Sequence, residues 1–220
     1  MAKRPVFKVE DGPGGLVSEQ FVEFEWHPGF AASQKQKNII SLHSQYQKQN
    51  IGHKVLEIST KSSEPLGVAH SAFNLRLIHE GVLTPLECVY QGSKVFKSGG
   101  PFTDLYKASP IEAKKDLRIK EAGPLQGFYY EGEDWPLKPQ SFFYDWLYLN
   151  AIKDNGDIVS LSKFDGFTDI EFNPNKSISC QARTAAMAVA LYRRNNEYWL
   201  PGKSDLMSFY EVSDNQGSLF

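Results

Sequence analysis

Cysteine is scarce in this chain of 220 residues: there are two, Cys88 and Cys180, in separate segments and with no histidine at ligand spacing. That excludes a disulfide framework and leaves too few donors for a structural zinc site, which needs about four. The simplest expectation is two reduced, buried thiols in a cytoplasmic protein that carries no metal and no cofactor. Long apolar runs are missing too. The longest, Ala185 to Tyr192, falls far short of the roughly 20 residues of a membrane helix. The opening residues, MAKRPVFKVEDGPGG, carry bases with no apolar segment behind them, unlike a secretory signal. Neither glycine-rich phosphate loop, GxGxxG or GxxxxGK followed by Ser or Thr, is present. Net charge is almost absent as well. The 24 Lys and Arg oppose 26 Asp and Glu, giving −2, which argues against binding a polyanion with the whole surface.

What is present suits a core. Hydrophobic residues make up 41% of the chain and aromatics 13%, and a chain of this length buries roughly 70% of its unfolded surface. Charged residues at 23% exclude a disordered, collagenous or coiled-coil protein. One domain over residues 1–220 is expected, with a hairpin and helix in residues 1–60 and the core in 66–195.

Residues 6–9 and 21–26 alternate apolar with polar around Asp11-Gly12-Pro13-Gly14-Gly15, which predicts a hairpin. Ser33 and Gln36 form a capping-box pattern for a helix that carries Ile39, Ile40, His43 and Tyr46 to Gly52. A strand over Val55–Ile58 and an extended segment over 68–78 follow. Thr84-Pro85-Leu86-Glu87 then predicts a helix start, with Thr as N-cap, Pro at N1 and Glu at N3. That helix runs to Lys97 and stops at Ser98-Gly99-Gly100. Ser109-Pro110-Ile111-Glu112 repeats the signature and opens a basic helix through Lys120, and two more helices span 141–153 and 179–194. Strands are expected only in the first 80 residues and no βαβ alternation appears, so the fold class is α+β, mostly helical.

Charge is uneven despite its neutral total. The stretch 26–56 has no acid but holds Lys35, Lys37, Lys48 and Lys54; 172–196 has none but holds Lys176, Arg183, Arg193 and Arg194. Each is either a basic face or an ordinary solvated helix surface.

On the helix opened by Thr84, residues Glu87, Gln91 and Lys94 fall on one stripe at 3.6 residues per turn. A carboxylate, an amide and an amine on one face can combine proton transfer, a directional hydrogen bond and a nucleophile. The plain alternative is that Glu87 completes a capping box and Lys94 points at solvent. The five histidines form no recognisable constellation.

The run Glu87-Cys88-Val89-Tyr90-Gln91-Gly92-Ser93-Lys94-Val95-Phe96 resembles the E-H-Y-F-Q-A-x-K-F signature of the NADAR superfamily, the YbiA-like proteins linked to NAD and ADP-ribose metabolism. Ser71-Ala72-Phe73-Asn74-Leu75 is similar to its F-S-N-F segment, and Ser109-Pro110-Ile111-Glu112-Ala113-Lys114 to its S-x-x-E-A-K helix. Cys88 stands where the family has histidine, and the W-G after its later Asp motif is absent. Asp169, in Phe167-Thr168-Asp169-Ile170-Glu171-Phe172-Asn173, is matched to that Asp. Trp26-His27-Pro28-Gly29-Phe30, Gln91-Gly92-Ser93-Lys94-Val95-Phe96, Phe143-Tyr144-Asp145-Trp146-Leu147-Tyr148 and Phe167 to Arg183 resemble a narrower branch, the NADAR antitoxins encoded beside DarT-type toxins that ADP-ribosylate guanine in DNA.

The resemblance implies an ADP-ribosyl glycohydrolase that removes ADP-ribose from guanine in single-stranded or flipped DNA, with a cognate DarT-type toxin as partner and no membrane association. Lys94 would be the Schiff-base amine and Glu87 the proton shuttle. Ligand contacts are expected from Ser71, Phe73, Asn74, Gln91, Trp135, Asp169 and Arg183, with Tyr144 and Trp146 as further stacking surfaces. Arg183 either grips the diphosphate or caps a neighbouring carboxylate. The basic stretches would serve as DNA phosphate contacts. Two other readings remain: a YbiA-like N-glycosidase acting on a free ribosylated metabolite, and a non-catalytic module that holds ADP-ribose or NAD.

Overall fold

A computed structural model describes residues 1–12, 15–175 and 177–217, with side chains as far as Tyr210. Pro13 and Gly14 of the expected turn and Lys176 of the second basic stretch lie outside the described residues. In chain order the elements are β1 (Ala2–Val9), β2 (Val17–Phe24), α1 (Ala32–Gln49), β3 (Val55–Glu57), α2 (Pro65–Ala69), β4 (Arg76–His79), β5 (Val82–Pro85), α3 (Leu86–Gly92) and β6 (Lys94–Phe96). A 3-10 turn (Thr103–Lys107) leads to α4 (Pro110–Lys115), α5 (Leu117–Glu121), β7 (Leu125–Tyr130), β8 (Glu133–Trp135) and α6 (Phe142–Asn155). The chain continues through α7 (Ile158–Leu161), β9 (Gly166–Thr168), α8 (Gln181–Asn195) and α9 (Lys203–Gly217). The class is α+β, and the N-terminal hairpin forms as expected, β1 pairing antiparallel with β2 from Ala2–Phe24 to Val9–Val17.

That hairpin is half of a four-stranded sheet of order β2-β1-β9-β3. Successive strand residues face opposite sides, so Val6 enters a cluster with Val22, Phe24, Ile39, Leu42 and Tyr46, while Phe7 enters the main core. One face is covered by α1, whose Ile39, Leu42 and Tyr46 recur at helical spacing. The main core lies on the other face, around α6 and α8. Phe143, Leu147, Ala151 and Ile152 of α6 and Ala185, Ala186, Ala188, Val189 and Ala190 of α8 are all buried. The alanine-rich surface of α8 leaves room for the aromatic side chains of α6. Among the described residues no helix is long and apolar enough to cross a membrane.

Several local expectations give way to tertiary pairing. Ser33 does not cap α1; the N-cap is Ala31, with no side-chain bond. Residues 68–78 are extended only from Arg76, because Pro65 opens the short helix α2. Thr84 is no N-cap either: it lies in β5 opposite Leu77, and Pro85 precedes α3. That helix ends at Gly92 rather than Lys97. The Gly92 carbonyl accepts from the Phe102 amide (2.7 Å), and Lys94 enters β6 opposite Phe128 of β7. Gly92 is required there, since a Cβ would meet the Tyr106 ring at 2.5 Å. The sheet β6-β7-β8 and strand β9 lie beyond residue 80, where no strands were expected. Ser109 and Glu112 do make the expected capping box, but the basic helix breaks at Asp116, whose carboxylate caps α5.

Candidate active site

The end of α3, the start of β6, the turns after α2 and β9 and the segment before α8 enclose a cleft of about 600 Å³. Six of its wall residues were singled out from the sequence for chemistry or binding besides Glu87: Ser71, Phe73, Gln91, Lys94, Tyr144 and Asp169. Asn74, Trp135 and Arg183 are not in it. Asn74 is exposed and its Nδ2 donates to the Val68 carbonyl (2.9 Å) and to Ser71 Oγ (3.1 Å). Trp135 is core, packed on Phe142, Phe143 and Trp146. Arg183 takes the second of its two expected roles and caps a carboxylate, donating to Asp145 at 2.8 Å.

The Asp145 cluster explains why. Asp145 is fully buried on α6 and accepts from Arg183, from Ser141 Oγ (2.9 Å), from Thr184 Oγ1 and from the Tyr210 hydroxyl. These bonds tie α6, α8 and α9 together and leave the guanidinium committed to the fold. The other described cations of the second basic stretch are committed likewise. Arg193 donates to the Ser162 and Phe164 carbonyls and pairs with Asp165 and Asp11, and Arg194 donates to the Glu10 and Gly15 carbonyls. The expected basic face over 172–196 is therefore absent among the described residues: its arginines clamp loops. In the first stretch, Lys35 pairs with Glu171 at 3.0 Å.

Inside the cleft, Glu87, Gln91 and Lys94 do meet, although on two elements rather than one helix. Gln91 Nε2 donates to Glu87 Oε1 (2.9 Å), and Gln91 Oε1 accepts from Lys94 Nζ (2.7 Å). Glu87 and Gln91 are buried, and the Lys94 ammonium position lies 4.8 Å from the centre of the Tyr90 ring. Burial holds the Lys94 amine down at about 8, with the nearby Lys114 cation acting in the same direction and Glu87 opposing. Lys114 of α4 stands at the rim, 3.9 Å from Glu87 Oε1 and 5.1 Å from the centre of the Phe73 ring.

The opposite wall is built on Asp169. Its Oδ1 accepts from the Glu171 and Phe172 amides, and its Oδ2 accepts from Gln181 Nε2 (2.9 Å). Gln181 Oε1 in turn accepts from the Ala72 amide (2.7 Å), and the Ala72 carbonyl accepts from the Glu87 amide (3.1 Å). One polar chain thus runs from Asp169 to the start of α3. Burial raises the Asp169 carboxyl above its ordinary range, offset by the Gln181 bond. Behind it, buried Glu57 accepts from Ser59 Oγ, Thr168 Oγ1 and the Ile170 amide at 2.6 to 2.8 Å.

Sequence reasoning missed the working parts of Tyr90, Lys114 and Gln181. Tyr90 and Lys114 each stood in a family-like run without a role of its own. Gln181 carried no signal, because its importance arises from contacts with residues 72 and 169. Cys88, in the histidine's place, faces away from the cleft. Its Sγ donates to the Ala108 carbonyl (3.1 Å), and burial pushes the thiol up to about 11.

The α+β domain thus sets a desolvated amine and a buried carboxylate in one cleft, two groups whose chemistry allows addition to an electrophilic carbon and proton transfer. Its family is established by comparison: the sequence model of the DarT1-associated NADAR antitoxin family matches residues 2–216, and the chain belongs to that family. No curated protein matches it.

Proposed function

We propose that this antitoxin is an ADP-ribosyl glycohydrolase that releases ADP-ribose from guanine in DNA and so reverses the product of its associated toxin. The observation that carries this reading is the Lys94 amine, desolvated, held by Gln91 and placed one amide away from Glu87. Lysine at its ordinary pKa of about 10.4 is almost wholly protonated near neutrality. An amine near 8 has a usable neutral fraction and can attack carbon.

The bond to be broken joins C1 of the ribose to a guanine nitrogen. The ring opens as the guanine nitrogen lone pair forms a C1=N iminium and the C1–O4 electron pair passes to O4, which takes a proton by way of Glu87. The Lys94 lone pair then adds to C1, the C1=N π pair returns to the guanine nitrogen, and the added nitrogen gives up its proton, which passes to Glu87. The guanine nitrogen then leaves with the C1–N electron pair and a proton passed by Glu87, and an imine forms between C1 and Lys94 Nζ. Water adds to that carbon, Lys94 departs as the amine, and ADP-ribose closes its ring. The net reaction is modified guanine plus water giving guanine plus ADP-ribose. Phe73 offers a stacking surface inside the cleft, and Lys61 and Lys114, both on its wall, offer cations to the diphosphate. Ser71 Oγ donates to the Val68 carbonyl (2.7 Å) and accepts from Asn74 Nδ2 (3.1 Å), which leaves one lone pair for a ligand hydroxyl.

Borohydride treatment with ADP-ribose reduces such an imine to a stable secondary amine. The expected result is a covalent mass increase located on Lys94, lost in Lys94→Ala, together with release of ADP-ribose from a modified guanine oligonucleotide by the wild type only. Release by Lys94→Ala, with no adduct on the wild type, overturns the reading.

A further inference from the structure

Four tyrosines are buried: Tyr46, Tyr130, Tyr144 and Tyr148. A buried hydroxyl without a partner is costly to folding, so nearly all find one. Three of the four do. Tyr148 donates to the His70 carbonyl (2.6 Å), and the Tyr46 and Tyr130 hydroxyls lie 3.2 Å from Nδ1 of His53 and of His79. Tyr144 is the exception. It is 6% exposed, and among the described residues its hydroxyl has no hydrogen-bond partner.

Its place in the fold gives that hydroxyl something to meet. Tyr144 is a wall residue of the cleft that holds Lys94. Its ring stands edge-on to Tyr90 at 5.1 Å between centres, and the Lys94 ammonium position lies 4.8 Å from the centre of the same Tyr90 ring. Neither nearby carboxylate accepts from it: Asp169 takes its bonds from Gln181 and two backbone amides, and Glu87 Oε1 takes one from Gln91. Burial, then the Tyr148 hydroxyl and the Glu87 charge, hold Tyr144 well above the ordinary tyrosine value of about 10, with Asp169 acting in the same direction. It therefore stays protonated at working pH, a neutral donor fixed in the cleft.

We propose that Tyr144 is a further catalytic residue, whose hydroxyl donates to the ribose ring oxygen O4 as the ring opens. The proposal rests on the glycohydrolase reading above and adds a third group to Lys94 and Glu87. Of the two oxygens nearest C1, the 2-hydroxyl can donate as well as accept, whereas O4 can only accept. A carboxylate suits the first and a phenol the second. When the C1–O4 bond breaks, its electron pair collects on O4, and a donor already fixed there stabilises that charge until the proton arrives by way of Glu87. Tyr144 keeps its own proton, so the net reaction is unchanged.

Tyr144→Phe removes the hydroxyl alone. Free ADP-ribose opens without help, because its C1 is a hemiacetal in equilibrium with the aldehyde, whereas the ring of the modified nucleoside has to be opened by the protein. Losing one such donor costs about 100-fold to 1000-fold in turnover. Release of ADP-ribose from a saturating modified oligonucleotide should therefore slow by about 100-fold in Tyr144→Phe, while borohydride trapping of ADP-ribose on Lys94 stays within about threefold of the wild type. Thermal unfolding checks the fold, with a melting temperature at or above the wild-type value expected once the unpaired hydroxyl is gone. Unchanged release overturns the proposal. So does an equal loss of release and trapping, which makes Tyr144 a shaper of the cleft rather than a donor to O4. If Tyr144→Phe does not fold, Tyr144→Met, which also lacks a donor, is judged by the same two rates. Absence of both release and adduct in the wild type overturns instead the reading on which the donor rests.

Discussion

Replacing Glu87 with glutamine separates two effects that one carboxylate exerts on the cleft. Its negative charge favours the ammonium form of Lys94, against the burial that holds the amine near 8. Only the neutral amine attacks carbon, so adduct formation in the wild type should rise with pH through about 8 and then level off. At pH 7 about a tenth of such an amine is neutral, against about 0.04% for a lysine at about 10.4, a gain of roughly 200-fold. An opposite charge a few ångströms away moves a pKa by about 1 to 3 units. The Gln91 amide stands between the two groups, so the lower figure applies, and Glu87→Gln should carry the inflection down by about one unit. The neutral fraction at pH 7 then rises from about a tenth to about a half, and trapping with ADP-ribose should speed up about fivefold. Release of the base should move the other way. It needs a proton delivered to the leaving nitrogen, and removing a general acid typically costs about 100-fold to 10,000-fold. The assay pairs borohydride trapping, followed by intact mass across the pH range, with release of ADP-ribose from a modified oligonucleotide. An inflection that moves upward, or equal losses in both measurements, would refute the reasoning.

Other perturbations test the scaffold. Gly100 has φ +94°, and a Cβ there would lie 2.2 Å from the Lys94 carbonyl oxygen, so Gly100→Ala should cost about 1 to 3 kcal/mol in chemical denaturation and lower trapping at Lys94; a neutral result in both would show that the β6 edge yields easily. Asp145→Ala leaves Arg183 without its buried partner and should destabilise the fold by about 3 to 5 kcal/mol, while Arg183→Leu should lower stability and leave ADP-ribose affinity unchanged by calorimetry. Glu57 is held in its protonated form by burial, its carboxyl raised from 4.5 to about 8. Because the folded value is the higher one, its contribution is complete below about 4.5 and disappears as pH rises through about 8. The melting temperature should therefore fall across that window, and Glu57→Gln, which keeps a carbonyl for Ser59 and Ile170, should flatten the fall; an unchanged slope would show that Glu57 ionises without penalty.

The hairpin, α1 and α8 were legible because each carries its own periodic pattern, whereas α6, apolar on every side and without a side-chain cap, announces itself by the length of its buried run. The end of α3 was not. Nothing in Gln91-Gly92-Ser93-Lys94-Val95 forbids another helical turn, and the stop comes from strand β7 and the Phe102 amide, both distant in sequence or folded back by a loop. Glu87, Gln91 and Lys94 were nonetheless grouped correctly, since a residue just past the end of a helix can reach back to its last turn. The basic stretches misled for a related reason. A charge count registers arginine without its acceptors, and Arg183, Arg193 and Arg194 find theirs on α6 and on loops far along the chain. Trp135 and Asn74 were misplaced because composition cannot tell a ring in the core from one in a cleft, or a side chain that braces a turn from one that faces a ligand.

The amide of Gln91 has a further consequence. A carboxylate and an ammonium in direct contact titrate as one unit, each keeping the other charged until extreme pH. A primary amide between them passes on geometry through its two hydrogen bonds but has no proton of its own to give up near neutrality. The amine and the carboxylate therefore sit a fixed amide's length apart, close enough for the charge of one to act on the other and too far for direct proton exchange. Gln91→Glu, which puts a second carboxylate beside the amine, would favour its ammonium form and silence it as a nucleophile.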